Sequence, residues 1–172
     1  SRGLGDVYKR QIQFLSKRDK KIKSVQIQFS LLSPDFLKQT SVKRICQDND
    51  IDFLAYSPLS FGILCIDPEK DEDKQNSFLR SLIFKNYKKS SIELRRCLKK
   101  IAVSRSVSQA QVAINWCCYQ GAIPLVGMRK RSQVIDISNV FKWNLNKKEF
   151  GMLQEASQKC LKKIPSNPFT SL

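Results

Sequence analysis

The chain has 172 residues, of which 41% are hydrophobic and 9% aromatic, a composition that suits one globular core. It carries 31 Lys and Arg against 15 Asp and Glu, a formal net charge of +16, and it contains no histidine. The missing histidine excludes Ser-His-Asp catalysis, Cys-His catalysis and histidine-ligated zinc within these residues. No apolar run reaches about 18 residues, so the sequence predicts no membrane-spanning helix and no membrane partner.

The strong positive charge is typical of proteins that bind nucleic acid. Here the basic residues are scattered and interrupted by acids, as in Asp67–Lys74, and no RNP-like pattern of aromatic residues occurs. We therefore expect no nucleic-acid partner, while a basic nucleic-acid-binding module stays open as an alternative. A basic surface suits a phosphorylated cofactor equally well.

Six cysteines are present, but their spacing is irregular and no CxxC pair occurs. This pattern favours reduced core thiols in a reducing compartment over a disulfide framework or a metal site.

Three short β-rich runs, each followed by stretches of helical period, organise the chain. The predicted strands are Ser24–Ser30, Ile51–Ser57 and Ala122–Gly127. Strands that alternate with helices predict an α/β fold with a parallel sheet and helices outside it. Polar residues that precede apolar helical runs are the predicted N-caps, namely Ser41, Ser90, Ser108, Ser132 and Asn146. The segments Asp67–Ser77 and Ile164–Leu172 are predicted to be irregular.

The size of this sheet raises a problem, because a closed eight-stranded α/β barrel takes about 250 residues. The first residues, SRGLGDVYKRQ, have neither helical nor strand period and look like a translated cloning adapter. We therefore expect residues 1–11 to be a non-native leader. Residues 12–172 are interpreted as the C-terminal part of a single domain whose N-terminal half is missing.

Four stretches, in this order, carry a resemblance to the aldo-keto reductase family. They are VQIQFSLL (Val25–Leu32), FLAYSPLSFGIL (Phe53–Leu64), VSQAQVAINWCCYQGAIPLVGMRK (Val107–Lys130) and FKWNLNKKEFGML (Phe141–Leu153). The resemblance implies a partial (β/α)8 TIM barrel that comprises approximately strands six to eight with their helices. It also implies NADP(H) as the cofactor.

The resemblance assigns roles around the nicotinamide end of that cofactor. Gln26 would hydrogen-bond the carboxamide, for which a side-chain amide has both a donor and an acceptor, and Gln28 is the substitute if the register differs. Tyr56 would stack on the nicotinamide ring. The loop that would wrap the pyrophosphate comprises Ser57, Pro58, Leu59 and Gly62.

A second group of residues would bind the adenosine end. Gly127, Met128, Arg129 and Lys130 form a basic turn before a helix, which is a favourable place for an anion such as the 2′-phosphate. Gln133 and Asp136 would contact the adenosine. Ile137 departs from the family pattern, since many members carry an adenine-contacting Asn at this position.

The family's catalytic Asp, Tyr, Lys and His belong to strands and loops that precede the residues present here. The resemblance therefore implies an intact parent that reduces a small-molecule aldehyde or ketone in the cytoplasm or the plastid stroma, and an inactive fragment with no catalytic residue. A non-catalytic family member used for binding or regulation is the alternative.

Overall fold

The computed structural model describes residues 14, 22–33, 40–70, 85, 87–160 and 164. The predicted leader (residues 1–11), residues 71–77 of the predicted Asp67–Ser77 loop and the tail beyond residue 164 lie outside these ranges.

The described elements follow the predicted alternation of strands and helices. The strands are β1 (Ser24–Gln28), β2 (Asp52–Tyr56) and β3 (Ile123–Leu125). The α-helices are α1 (Thr40–Asp48), α2 (Ile92–Arg105), α3 (Gln109–Tyr119), α4 (Arg131–Ser138) and α5 (Lys147–Gln158), and two short 3-10 helices span Ser60–Cys65 and Val140–Lys142.

The three strands form one parallel sheet in the order β1-β2-β3, which confirms the predicted α/β class. Gln28 of β1 pairs in register with Tyr56, and Tyr56 pairs with Leu125 of β3. Because all three strands run in the same direction, the segments that follow β2 and β3 leave the sheet at the same edge.

One face of the sheet is buried beneath the helices. Ile27, Phe53 and Ala55 are at most 5% exposed, and the Phe29 ring lies 5.0 Å from that of Trp116 on α3. Alternate residues of a strand point to opposite faces, so these residues form one side of β1 and β2. The hydrophobic core therefore lies between the sheet and the helices.

The opposite face of the sheet is largely open. Gln26 is exposed, Leu54 and Tyr56 are half-buried, and Ile123 and Leu125 are 47% and 40% exposed. The register places these residues on the same side, since Gln26 pairs with Leu54 and Leu54 with Ile123. A sheet with apolar side chains on an open face indicates a surface that another part of a larger fold can cover.

Two predicted N-caps are confirmed and three are wrong. The Ser108 and Asn146 side chains accept hydrogen bonds from the Gln111 and Glu149 amides, at 3.1 and 2.8 Å. Helix α1 already begins at Thr40, α2 has Ser91 rather than Ser90 at its N-cap, and α4 has Lys130 there rather than Ser132.

All six cysteines are thiols rather than disulfides, as predicted, but they do not all lie in the core. Cys46, Cys117 and Cys160 are buried, whereas Cys65 is exposed.

Candidate functional site

The candidate site begins at the open face of the sheet. Tyr56 is the last residue of β2 and lies on this face beside Leu125 and Gln28. Gln26 lies on the same face, two residues earlier in the register. Gln28 is buried, and its amide donates to the Ile164 carbonyl oxygen at 3.4 Å. Of the two glutamines, Gln26 therefore presents its amide to the open face while Gln28 contacts the chain itself.

The loop after β2 has an unusual backbone. Ser57, Ser60 and Phe61 have positive φ angles of 53°, 50° and 57°, and Gly62 follows at 91°. The left-handed conformation costs a non-glycine residue roughly 1–2 kcal/mol. A Cβ added at Gly62 would meet no atom within 4 Å, so glycine suits this position because of its dihedral angle.

Buried hydroxyl groups hold this loop in place. Ser60 lies 2.8 Å from Ser30, and Ser30 lies 3.1 Å from Ser33, each distance measured between hydroxyl oxygens. Pro58 is buried, and Leu59 packs against the core. Analysis of the sequence missed the Ser30–Ser60 contact, because hydrogen bonds between residues thirty positions apart leave no local pattern. The loop is thereby fixed to the end of β1.

The turn between β3 and α4 concentrates positive charge. Gly127, Met128, Arg129, Lys130 and Arg131 are all exposed. Helix α4 has no acidic residue in its first turn, and within the described ranges no carboxylate forms an ion pair with its basic residues. A cationic helix N-terminus without acidic partners is suited to bind an anion.

The side chain of Gln133 organises the backbone of that turn. Its side-chain oxygen accepts hydrogen bonds from the backbone N–H groups of Arg129 and Lys130, at 2.8 and 3.0 Å. Gln133 thus caps α4, the function that the sequence analysis assigned to Ser132.

Asp136, on the same helix, is bound to the neighbouring helix α3. One of its carboxylate oxygens accepts a hydrogen bond from the Ser108 hydroxyl, and the other accepts one from the side-chain amide of Gln111, both at 2.6 Å. The pKa of the nearby Cys65 thiol is raised to about 11, chiefly by burial and secondarily by the negative charge of Asp136. Gln133 and Asp136, which the sequence analysis placed at an adenosine, therefore both have partners within the chain.

The loops after β2 and β3 lie at the same edge of the sheet, beside the open face that carries Tyr56. The arrangement combines an aromatic surface, a strained polar loop and a cationic turn. Such a combination can bind an extended ligand that has a flat ring at one end and phosphate groups at the other.

Neither a membrane helix nor a metal cluster is found in the described part of the chain. Among the residues 22–33, 40–70 and 87–160, no helix is both long and apolar enough to cross a bilayer. Within the same described ranges, no group of three His, Cys, Asp or Glu side chains is placed to hold a metal ion.

Comparison with known proteins gives one family. The model of the Aldo/keto reductase family matches residues 1–158. The chloroplastic pyridoxal reductase of Arabidopsis thaliana is 33% identical over 156 residues, which cover 91% of this chain and 42% of that protein. Rhazimal reductase 2 of Alstonia scholaris is 25% identical over 123 residues, which cover 71% of this chain and 31% of that protein.

Solved structures share the fold. The glycerol dehydrogenase of Gluconobacter oxydans matches with a TM-score of 0.73 at 22% identity, covering 92% of this chain and 49% of that one. The aldose reductase of Schistosoma japonicum matches with a TM-score of 0.58 at 19% identity, covering 90% and 39%. The chain thus spans less than half the length of each of these relatives.

Proposed function

This chain belongs to the aldo/keto reductase family of oxidoreductases, and we propose that it forms the NADP(H)-binding part of a carbonyl reductase. The observation that carries the proposal is the placement of a cationic turn and a tyrosine-bearing sheet face at one edge of a parallel sheet. The proposal concerns the whole protein, of which these residues would supply the cofactor side.

In this proposal the sheet is a segment of a (β/α)8 barrel, approximately its strands six to eight. The open face with Gln26, Tyr56 and Leu125 would then point into the barrel, and residues from other strands would cover it. The exposure of Ile123 and Leu125, at 47% and 40%, supports this orientation, because apolar side chains of barrel strands fill the barrel interior.

The cationic turn would hold the 2′-phosphate of NADP(H). Arg129 and Lys130 are exposed, and within the described residues they have no acidic partner, so their charge is available to a phosphate. Gly127 and Met128 would contribute the backbone that leads from β3 to these side chains. Gln133 would act on the site by shaping this turn.

The open face and the loop after β2 would hold the rest of the cofactor. Tyr56 would stack on the nicotinamide ring, and Gln26 would hydrogen-bond its carboxamide. The loop Ser57, Pro58, Leu59 and Gly62 would wrap the pyrophosphate, with a backbone preformed by its left-handed residues. When bound, the cofactor supplies hydride to a carbonyl carbon.

These residues would not reduce a carbonyl compound by themselves. We assign no catalytic residue to the chain, because the family's Asp, Tyr, Lys and His are expected outside it. The substrate of the whole protein would be a small-molecule aldehyde or ketone. The relatives named for pyridoxal and rhazimal reduction support this class. The whole protein would act in the cytoplasm or, in a photosynthetic eukaryote, in the plastid stroma, and the chloroplastic relative favours a plastid.

The test is a fluorescence titration, with NADPH and with NADH, of the full gene product that contains these residues. Arg129→Ala should weaken NADPH binding about 10- to 150-fold, since hydrogen bonds to charged groups contribute roughly 1.5–3 kcal/mol. Binding of NADH, which lacks the 2′-phosphate, should change little. Arg44→Ala removes an exposed arginine from α1 and serves as the control that should affect neither cofactor. An equal loss for both cofactors in Arg129→Ala would contradict the assignment.

A further inference from the structure

Helix α4 has an unusual attachment to the rest of the fold. It has only eight residues, and none of its side chains is buried. Val134 and Ile135, which could have packed inward, are 49% and 56% exposed. A helix this short has little stability of its own and normally depends on the packing of an apolar face. Ile137 is the one half-buried apolar side chain of α4, so the position of the helix depends largely on a few specific polar contacts.

Asp136 provides the strongest of these contacts. Its carboxylate accepts two hydrogen bonds of 2.6 Å from α3 and its N-cap, one from Ser108 and one from Gln111. Hydrogen bonds to a charged group are roughly twice as strong as those between neutral groups. Because the carboxylate uses both of its oxygens, it fixes the direction of α4 as well as its distance from α3.

The partners of Asp136 are themselves held in place. The Ser108 hydroxyl oxygen caps α3 by accepting a hydrogen bond from the backbone N–H of Gln111 at 3.1 Å. The Gln111 side-chain oxygen accepts from the Trp143 indole at 3.1 Å. Gln111 is only 4% exposed, so its orientation is set by the surrounding core. Asp136 thus binds α4 to a rigid part of the molecule.

The other end of α4 is anchored through the segment that follows it. Val140 is buried, and its carbonyl oxygen accepts from the Asn115 side chain of α3 at 3.1 Å. At the N-terminal end, the hydrogen bonds of the Gln133 side chain to the other described residues go to the turn of its own helix. Between these two ends, Asp136 is the acidic side chain that connects α4 to α3. It therefore contributes, together with the Val140 anchor, to the position of α4, whose N-terminal turn carries Arg129 and Lys130.

We propose that Asp136 is a positioning residue for cofactor specificity, which acts on the 2′-phosphate by holding Arg129 in place rather than by contacting the adenosine. The inference rests on the proposed function, since it requires Arg129 to bind the phosphate. It predicts that loss of Asp136 weakens NADPH binding only through Arg129. An adenosine contact would instead affect NADPH and NADH alike, because both contain adenosine.

A double-mutant cycle on the full gene product tests this, with NADPH and NADH affinities measured for each variant. Asp136→Ala should weaken NADPH binding about tenfold, a part of the loss expected for Arg129→Ala, and should change NADH binding little. In the Arg129→Ala background, Asp136→Ala should have no further effect on NADPH. Glu155→Ala removes a carboxylate of α5 with a contact of equal length, 2.6 Å to the C-cap residue Lys159, and is the matched control.

Gln111→Met tests the same inference from the other side of the contact. It removes one of the two donors to Asp136 without touching α4, and it applies even where Asp136→Ala prevents folding. This substitution should also weaken the binding of NADPH more than the binding of NADH. A cofactor-selective loss in Gln111→Met cannot arise from a lost adenosine contact.

The outcomes separate the two proposals. If Arg129→Ala is selective for NADPH but Asp136→Ala and Gln111→Met weaken both cofactors equally or neither, the positioning role is wrong and the proposed function stands. Additive losses in Asp136→Ala and Arg129→Ala would also overturn the positioning role. If Arg129→Ala is not selective, the assignment of the phosphate site itself fails.

Discussion

Cys65 shows how the environment of a single residue sets its chemistry. Its accessible area makes Cys65 an exposed residue, but protein groups around the sulfur replace part of its water, and this partial desolvation, followed by the charge of Asp136, raises the pKa to about 11. The thiolate is the reactive form of cysteine, so a raised pKa makes the thiol unreactive at neutral pH. The free cysteine at this position is therefore a poor nucleophile despite its exposure.

Alkylation by iodoacetamide tests this environment. At pH 8 a thiol with a pKa near 11 is about 0.1% ionised, compared with about 10% for a pKa of 9. Cys65 should therefore react at least about tenfold more slowly than an ordinary cysteine, with a rate that still rises above pH 9. Asp136→Asn should speed the reaction, because it removes a negative charge. Peptide mapping against Cys65→Ser identifies the site, and a rate that levels off near pH 9 would refute the prediction.

At the level of residues, the sequence predicted positions better than it predicted contacts. The motifs placed Tyr56 at the end of β2 and Arg129 in the turn after β3, and the structure has them there. The same motifs assigned Gln133 and Asp136 to an adenosine, which stays a prediction, and did not indicate that both side chains also have partners within the protein. The partners of Asp136 depend on how α3 and α4 pack, which local sequence patterns do not specify.

Secondary structure elements were predictable where their signals are local. Asn146 and Glu149 form the predicted capping box of α5, with hydrogen bonds of 2.8 and 2.9 Å in both directions. At Ser90 the same local pattern failed, because residues 87–90 are already helical and the Ser90 hydroxyl donates to the Tyr87 carbonyl oxygen. A capping residue thus predicts a helix start only where the preceding chain is not helical itself.

Glu149 also connects two helices, and its protonation should weaken that connection. The carboxylate accepts hydrogen bonds of 2.8 and 2.9 Å from Arg105 of α2, and the pKa of Glu149 is lowered, chiefly by this contact. A group with a lowered folded-state pKa stabilises the fold above its unfolded pKa, near 4.3, and loses that contribution as the pH falls through the lower value. The contact therefore stabilises the protein at neutral pH.

Glu149→Gln should lower the free energy of unfolding by about 1 kcal/mol at pH 7, since it removes the charge of a paired and capping side chain. The difference from wild type should shrink as the pH falls below the unfolded pKa, near 4.3, and vanish only below the lowered folded-state pKa, where Glu149 is protonated in both states of the wild-type protein. Urea unfolding at pH 7 and at a series of pH values from 4 downward measures this. Glu155→Gln, at an exposed pair on the same helix, is the control and should have a smaller effect. A difference that persists unchanged at low pH would rule out the ion pair as its cause.

At the scale of the whole molecule, the alternation of strands and helices was sufficient to predict a parallel sheet. The four motifs were sufficient to identify the family, to which the chain belongs. Neither the alternation nor the motifs predicted the hydroxyl contact between Ser30 and Ser60 or the attachment of α4 through Asp136. Each of these contacts joins segments that are distant in sequence. The sequence thus predicted the edge of the sheet at which the candidate site lies, while the contacts that hold the loops there required the structure.

The central claim is that the carboxyl edge of this sheet binds NADP(H), and a crystal structure of the full gene product with NADP⁺ tests it most directly. The 2′-phosphate should lie within about 3 Å of the Arg129 guanidinium, the hydrogen-bonding distance of such pairs. The nicotinamide should stack on Tyr56, with Gln26 at its carboxamide, while Asp136 keeps both of its contacts to α3. A cofactor bound away from β2 and β3, or a 2′-phosphate that contacts neither Arg129 nor Lys130, would contradict this account.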